Sequence, residues 1–505
     1  MVLGYDGRFV GAERGAIYRN IASHKGAMVR GDFAPAEKIR ENAPARPANP
    51  LWIMDGTYAG EDHAAKKEKV RKALNERGVS ALLLSKLDDI MWFTNLRGSD
   101  ISCNPVGLSY LIMEDDTVEL FLQPESVTAE VRGYLNENGI VLKEYASFFE
   151  ELKGRSFAGG VLADPKAVSD RMIEILSANA VRPQFGNSPT SFLKATKTEA
   201  ELEQIRECYR NDSAVLCRFL FEVERDLGRV FMTEISLAEK LNDMRRKIPG
   251  FLDLSFETIS ACGPNAAIVH YEPKEETNAE IRPEGFYLVD SGGQYRNGTT
   301  DVTRTVPLGD LTQAMRRDFT LVAIANLRLL TAKFKYGCTG ANLDMYARSP
   351  LWEDGLDFGH GTGHGIGFVL NVHEGPQNIA WRIRRGLTGA ETVFEPGMIV
   401  SDEPGIYRAG EYGIRTESIV ECIEDETNAF GRFLRFRPLT YVPISLKALD
   451  ESLMDASDIR RLNDYHKAVY ETISPLLESS EERKWLKEAT APIGQTAVSR
   501  KLTDS

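Results

Sequence analysis

An α/β domain followed by a larger α+β domain is the fold class that the sequence predicts, on three observations. Helix-like and strand-like segments alternate between residues 52 and 190. A strong helix start at Thr198 opens a long amphipathic stretch. Beyond it, helical segments alternate with glycine-punctuated hairpins to about residue 447. A chain of 505 residues is also too long for one hydrophobic core.

The elements follow in order. Residues 1–50 are rich in Gly and Ala and close on "NAPARPANP", so they read as a reduced N-terminal segment and linker. Residues 51–190 form the α/β domain. In it "AAKKEKVRKALNERG" reads as an amphipathic helix ending at Gly78. "VSALLLS" and "TVELFLQ" read as strands, and "NENGIVLKEY" as a turn into another. The second domain spans 195–447. Thr198 followed by Glu201 fits a capping box, and Leu202, Ile205, Leu216, Phe219, Leu220 and Val223 mark one apolar stripe. The tail 448–505 is charged and helical in pattern and reads as packing material.

Composition removes several functions. No apolar run approaches bilayer-spanning length, and the first thirty residues lack the apolar core of a secretory signal. A membrane association is therefore not expected. The net charge of −13 argues against a nucleic-acid partner. Six scattered cysteines without a CxxC pair read as reduced, mostly buried thiols of a cytoplasmic protein.

Chemistry concentrates at residues 360–375, "HGTGHGIGFVLNVHEG". Three of the chain's seven histidines, His360, His364 and His373, fall here. Five alternating glycines disfavour a helix, each costing roughly 1 kcal/mol relative to alanine. In an extended segment His360, Thr362, His364, Ile366 and Phe368 share one face, and the bare glycine face admits another backbone or a ligand. His360 and His364 would then lie roughly 13 Å apart, so one ligand histidine and one substrate-contacting or supporting histidine are expected. His270, in "GPNAAIVHYEP", joins the set. His24, His63 and His466 sit in polar stretches and read as surface residues.

"FYLVDSGGQYRNGTTDVTRTV" places Asp290 and Asp301 about an Asn297-Gly298 turn, with Asp301 opposite Gln294. Both aspartates face one way but stand too far apart for one metal, unless a bulge at Ser291-Gly292-Gly293 closes the gap. "MIVSDEPGIY" adds Glu403 and "GIRTESIV" adds Glu417. Four converging carboxylates repel unless neutralised, and two divalent cations balance them. One imidazole, four carboxylates and no thiolate favour Mn, Co or Zn. Such a pair of ions can hold a hydroxide as nucleophile.

These phrases, with "DSGGQYRNGTTDVTRT", "SDEPGIY" and "YGIRTES" in the same order, resemble the pita-bread metallopeptidases, and among them the cytosolic Xaa-Pro aminopeptidase subfamily. "LDDIMWFTNLRGSDISCNPVGLSYLI" is similar to the creatinase-N-like domain of that family. The resemblance implies an α+β pita-bread catalytic domain that releases the N-terminal residue from peptides with proline in the second position. It implies Asp290 on one metal, Asp301 and Glu417 bridging two, and His364 with Glu403 on the other, with manganese preferred. Glu403 would also shuttle a proton. His270 and His373 would contact the substrate, His360 would line the proline pocket, and Arg415 would pair with a ligand carboxylate. A homodimer would form near "ARSPLWEDGLDF", with Trp352 as its anchor. Longer family members carry two N-terminal α/β domains, of which the first is reduced here to residues 1–50. A prolidase cutting Xaa-Pro dipeptides is the alternative enzyme, and an inactive binding module the alternative class.

Overall fold

The computed structural model describes residues 1–42, 44–383 and 389–494 and divides the chain into two compact units, residues 1–194 and 195–505. In the first unit, strands β1 (Val2–Gly4) and β2 (Met28–Arg30) pair in parallel around helix α1 (Ala12–His24). The stretch read as a linker therefore begins with a folded β-α-β piece. Long-range pairing holds it: Tyr5 and Arg19 both donate to the buried carboxylate of Asp170.

The predicted α/β pattern follows. Helix α2 (His63–Asn75) precedes β3 (Ala81–Leu84), β4 (Ser109–Glu114), β5 (Thr117–Leu122), β6 (Ile140–Glu144), β7 (Val161–Ala163) and β8 (Gln184–Phe185). The sheet order is β8-β7-β3-β4-β5-β6. Its central strand β3, "ALLL", is buried throughout, as a strand covered on both faces must be.

The second unit opens on α3 (Glu199–Asp226). Both bonds of the Thr198/Glu201 capping box form, and all six residues of the predicted stripe are buried. Helix α4 (Glu234–Arg245) leads to β9 (Phe251–Leu254) and β10 (Ile259–Cys262). Then come β11 (Phe286–Ser291), β12 (Gly293–Tyr295), β13 (Gly298–Thr299) and β14 (Val302–Pro307). Strands β10, β11 and β14 form one antiparallel sheet, and β9, β12 and β13 another.

Helices α5 (Gln313–Leu330) and α6 (Gly340–Trp352) flank β15 (Lys333–Lys335) in sequence. Next are β16 (Gly363–Gly365), β17 (Glu374–Ile379), β18 (Ile399–Asp402), β19 (Gly405–Arg408), β20 (Tyr412–Arg415), β21 (Ser418–Asn428) and β22 (Gly431–Pro438). A six-stranded sheet runs β15-β22-β21-β18-β16-β17, and β19 pairs with β20. Phe319 and Val322 of α5, Leu343 and Leu351 of α6, and Val400, Leu434 and Phe436 of the sheet share one core. Each such side chain contributes about 1.5–3 kcal/mol by leaving water. The predicted helical tail is α7 (Ala456–Ile473) and α8 (Ser480–Ala489), packed on the same core through Leu462, Val469 and Leu486. Residues 495–505 of that tail lie outside the described residues.

Candidate metal centre

The two aspartates meet through strand register. Tyr295 pairs with Gly298, so the loop residues are Arg296 and Asn297, one position earlier than the expected Asn297-Gly298 turn. Asp290 stands opposite Thr303 and Ser291 opposite Val302, while Gln294 stands opposite Thr299. Equal numbers of residues therefore lie on both strands, and the expected bulge is absent. The ribbon instead passes from one sheet to the other at Gly292, facing Asp301. A Cβ at Gly292 would fall on the carbonyl oxygen of Thr300, so only glycine fits. Asp301 precedes Thr303 by two residues and is thus a diagonal neighbour of Asp290 on one face, a spacing of about 7–8 Å between Cα atoms in general. The expectation that Asp301 lies opposite Gln294, out of reach, is corrected.

His364 arrives on β16, between β17 and β18. The extended run covers only Gly363–Gly365, not 360–368; Ile366 and Phe368 turn into the core. The glycines do what the bare face suggested. A Cβ on Gly363 would strike the carbonyl of Ser401, and one on Gly365 that of Glu374. The Nδ1 of His364 lies 3.0 Å from the carbonyl of Gly365. Donation there leaves Nε2 free to coordinate, and Nε2 lies 3.5 Å from both Asp301 Oδ2 and Glu403 Oε1. Glu403 follows β18, its amide donating to the carbonyl of Thr362 at 2.8 Å. Glu417 lies between β20 and β21. Its amide donates to the carbonyl of Thr303 at 3.0 Å, and Thr303 Oγ1 donates to its Oε2 at 2.8 Å. Donor atoms of Asp301, His364 and Glu417 all lie within 4.8 Å of one another.

Asp290, Asp301, His364, Glu403 and Glu417 line one cleft of about 330 Å³ together with His270, His373 and Arg415. Its charges are unbalanced: among the described residues the carboxylates of Asp290, Asp301, Glu403 and Glu417 face one guanidinium. Burial, then repulsion from Asp290 and Glu403, pushes the Asp301 carboxyl well above its usual range. Burial, then Asp301 and Asp290, does the same to Glu417. Burial lifts Glu403 to about 8, with Asp290 adding to it and Arg415 opposing. Burial lowers His364 to about 3, with His373 adding to it. Arg415 Nη2 donates to Asp290 Oδ2 at 2.6 Å, whereas the buried Asp290 Oδ1 has no hydrogen-bond partner. A buried carboxylate oxygen without a donor, among carboxyls that repel their own ionised forms, is a site built for cations. Two divalent ions fit these residues by charge and by donor type.

Eight of the predicted residues therefore converge. His360 is set back from them: its Nδ1 lies 2.7 Å from the carbonyl of Gly361 and its Nε2 2.8 Å from Tyr407 Oη, and Arg415 Nη1 donates to that same Tyr407 oxygen at 2.9 Å. Burial lowers His360 to about 4 and lowers His373 as well. Two of the histidines read as surface residues are interior. His63, 2% exposed, lies with Nδ1 2.9 Å from the carbonyl of Phe93. His466, 0% exposed, accepts from the amide of Ile444 at 3.1 Å. Only His24 is exposed. Sequence reasoning missed Tyr407 and Thr303, which orient Arg415 and Glu417, and the wall residues Phe256, Glu257, Tyr271 and Glu272. Their contacts cross elements, so no local pattern marks them.

Residues 203–424 match metallopeptidase family M24, residues 42–201 the creatinase/prolidase N-terminal domain, and residues 432–493 the C-terminal region of peptidase M24. The chain is 38% identical over 488 residues to Aminopeptidase P2 of Arabidopsis thaliana, covering 90% of this chain and 68% of that protein. It is 36% identical over 514 residues to a probable Xaa-Pro aminopeptidase P of Ajellomyces dermatitidis, covering 96% and 82%. The X-prolyl aminopeptidase of Caenorhabditis elegans, described as a cytosolic enzyme with a di-nuclear active site, superposes with a TM-score of 0.91 at 31% identity, covering 97% of this chain and 81% of that one. An Xaa-Pro dipeptidase from Bacillus anthracis, at 24% identity and a TM-score of 0.59 over 76% of this chain and 99% of its own, shares the fold.

Proposed function

The chain belongs to metallopeptidase family M24, with a creatinase-type domain before a pita-bread catalytic domain, and from that premise we propose how its centre works. It is a metal-dependent aminopeptidase that removes the first residue from peptides with proline second. The observation carrying this reading is the convergence of four carboxylates and one imidazole about a single guanidinium, in a chain whose relatives are named Xaa-Pro aminopeptidases. Asp290 would hold one ion, His364 with Glu403 the other, and Asp301 and Glu417 would serve both. Manganese is the assigned metal, because the donors are hard oxygens with one imidazole; cobalt and zinc suit the same set. When bound, the ions supply Lewis-acid polarisation and a water made nucleophilic near neutral pH.

The chain's own residues do the rest. An Xaa-Pro bond is a tertiary amide without N–H and with fixed φ, so it cannot be held through its nitrogen. His270 and His373 line the cleft, and burial favours the neutral form of His373. A neutral imidazole N–H can donate to the scissile carbonyl oxygen as charge develops there. The departing proline nitrogen needs a proton, and Glu403, lining the cleft beside His364, is placed to carry one. His360 is assigned a positioning part through Tyr407 and Arg415.

Charge favours longer peptides over dipeptides. A dipeptide ends in a carboxylate just beyond the ring. Arg415 is the one guanidinium or ammonium lining the cleft among the described residues, and Asp290 already engages it. Glu257 and Glu272 line the same walls. The test compares kcat/KM for Arg-Pro-Pro, Arg-Pro, Arg-Ala-Pro and N-acetylated Arg-Pro-Pro, after chelation and again with manganese restored. Arg-Pro-Pro should be best, the acetylated form inert, and chelated protein inactive until metal returns. A preference for Arg-Pro would replace this reading by a prolidase.

We further assign a homodimer and a cytoplasmic location. Trp352 is 37% exposed and meets Trp381 edge-on at 5.6 Å, next to exposed Met345 and Tyr346 on α6, an apolar face suited to a second copy. All six cysteines are free thiols, which suits a reducing compartment.

A further inference from the structure

Outside the metal centre, one fully enclosed carboxylate stands beside the cleft without a cationic partner among the described residues. Glu234, the first residue of α4, is 0% exposed and forms no ion pair with Lys, Arg or His among the described residues. Neutral donors surround it instead. The amide of Cys262 donates to Oε1 at 2.8 Å and that of Ala279 to Oε2 at 3.0 Å. Asn265 Nδ2 lies 3.1 Å from Oε1 and 2.9 Å from Oε2, and Tyr271 Oη donates to Oε2 at 2.8 Å. The four donors come from the beginning, middle and end of one loop, residues 262–279. The backbone of Glu234 closes the same loop, its amide donating to the carbonyl of Ala279 at 3.1 Å. That loop carries Val269, His270, Tyr271 and Glu272, a whole wall of the cleft.

We propose that Glu234 is the positioning residue of the substrate wall: a buried hub that gathers the 262–279 loop and aims His270 at the metal centre. An acceptor-only group is what four converging donors require. A carboxamide of the same shape fails, because its own N–H groups would meet some of those donors. Glu234 touches no assigned metal ligand in this network, so its action is on substrate alignment and not on metal loading. The kinetic part of this inference rests on the peptidase reading; the structural part does not.

The experiment uses Glu234→Gln in the full chain, alone and combined with His270→Ala. Metal content should remain that of the parent. Amide hydrogen exchange across 262–279 should accelerate by at least tenfold, while the segments holding Asp290, Asp301 and Glu417 keep their protection. On a proline-second peptide KM should rise about tenfold, with a smaller fall in kcat. In the His270→Ala background the further kinetic loss should be under threefold, since both changes remove one alignment. Unchanged loop exchange, or full additivity with His270→Ala, overturns the proposal. If Glu234→Gln does not fold, Asn265→Ala removes one donor from the same carboxylate and is read by the same two criteria. A parent protein that binds metal but cleaves no proline-second peptide defeats the peptidase reading, while the exchange result still decides the role of Glu234.

Discussion

Arg415 is the sharpest test of the charge balance. It is 2% exposed and donates to Asp290 Oδ2 at 2.6 Å, Tyr407 Oη at 2.9 Å and Thr303 Oγ1 at 3.2 Å. Arg415→Met keeps most of the volume and removes the one guanidinium that faces the four carboxylates among the described residues. Breaking a buried pair by deleting one partner costs about 3–5 kcal/mol. Unfolding entropy of about 2.1 cal/mol/K per residue, over the roughly 310 residues of the second unit, gives about 0.65 kcal/mol/K. The melting midpoint of metal-free protein should therefore fall by about 5–8 °C. With manganese saturating, the cations answer the same repulsion, and the fall should be less than half as large. Arg415→Lys keeps the charge but not the planar fork, and should lie between the two. Calorimetry with chelator and with manganese, on the same preparations, reads both numbers. Equal shifts in the two conditions, or metal-free Arg415→Met melting with the parent, would refute the idea that this guanidinium neutralises the cluster.

Three further predictions follow from the same geometry. His364→Ala should lose at least one metal ion and all turnover, whereas His373→Ala should keep both ions and lose roughly 10²-fold in kcat; full occupancy in His364→Ala contradicts the ligand assignment. Metal uptake should release protons, because Glu403 sits at about 8 without metal and Asp301 and Glu417 stand above their usual range. Raised carboxyls favour the protonated fold, so the contribution of these three groups to metal-free stability is full in acid and is lost as pH rises through about 8, while metal affinity climbs over the same window; titration heats that do not change between buffers of different ionisation enthalpy would count against it. Trp352→Glu should sediment as a monomer if the α6 face joins two copies, and an unaltered dimer places the interface elsewhere.

The convergence of Asp290, Asp301, His364, Glu403 and Glu417 on one cleft was legible because each is a costly residue in a telling place. Asp290 follows four buried residues, Phe286–Val289, within β11, so a charge there needs a partner. The glycines about His364 announced a close approach of backbone, and Ser401 and Glu374 provide it. The turn between the aspartates was misplaced by one residue. Asn-Gly is the stronger local signal, but β12 is fixed from outside by pairing with β9, which sets Tyr295 against Phe251. Tertiary pairing outweighed turn propensity. His466 deceived for a related reason. Charged Asp464 and Lys467 lie close to it in sequence, yet it lies on the face of α7 that also buries Leu462, Tyr465 and Val469. The folding of residues 2–30 depends on Asp170, far along the chain, and no local pattern reports such a contact.

How four repelling carboxylates stay together before metal arrives is answered by what the ligands' backbones and neighbours bind. Glu417 is tied through its amide to Thr303, the residue facing Asp290 and two beyond Asp301. Glu403 is tied through its amide to Thr362, two residues before His364. The amide of His364 in turn donates to Ser401 Oγ at 2.9 Å, and Ser401 Oγ donates to Glu403 Oε1 at 3.1 Å. Each ligand is thus fastened to the strand of another ligand, and the strands belong to sheets packed on a common core. The repulsion is opposed by strand pairing and apolar burial, not by local flexibility. Side chains held this way lose little entropy when cations bind, so metals would receive a preformed set of donors. A substitution that loosens one strand should accordingly weaken two ligands at once, and the ligand pairs most strongly coupled should be Asp301 with Glu417 and His364 with Glu403.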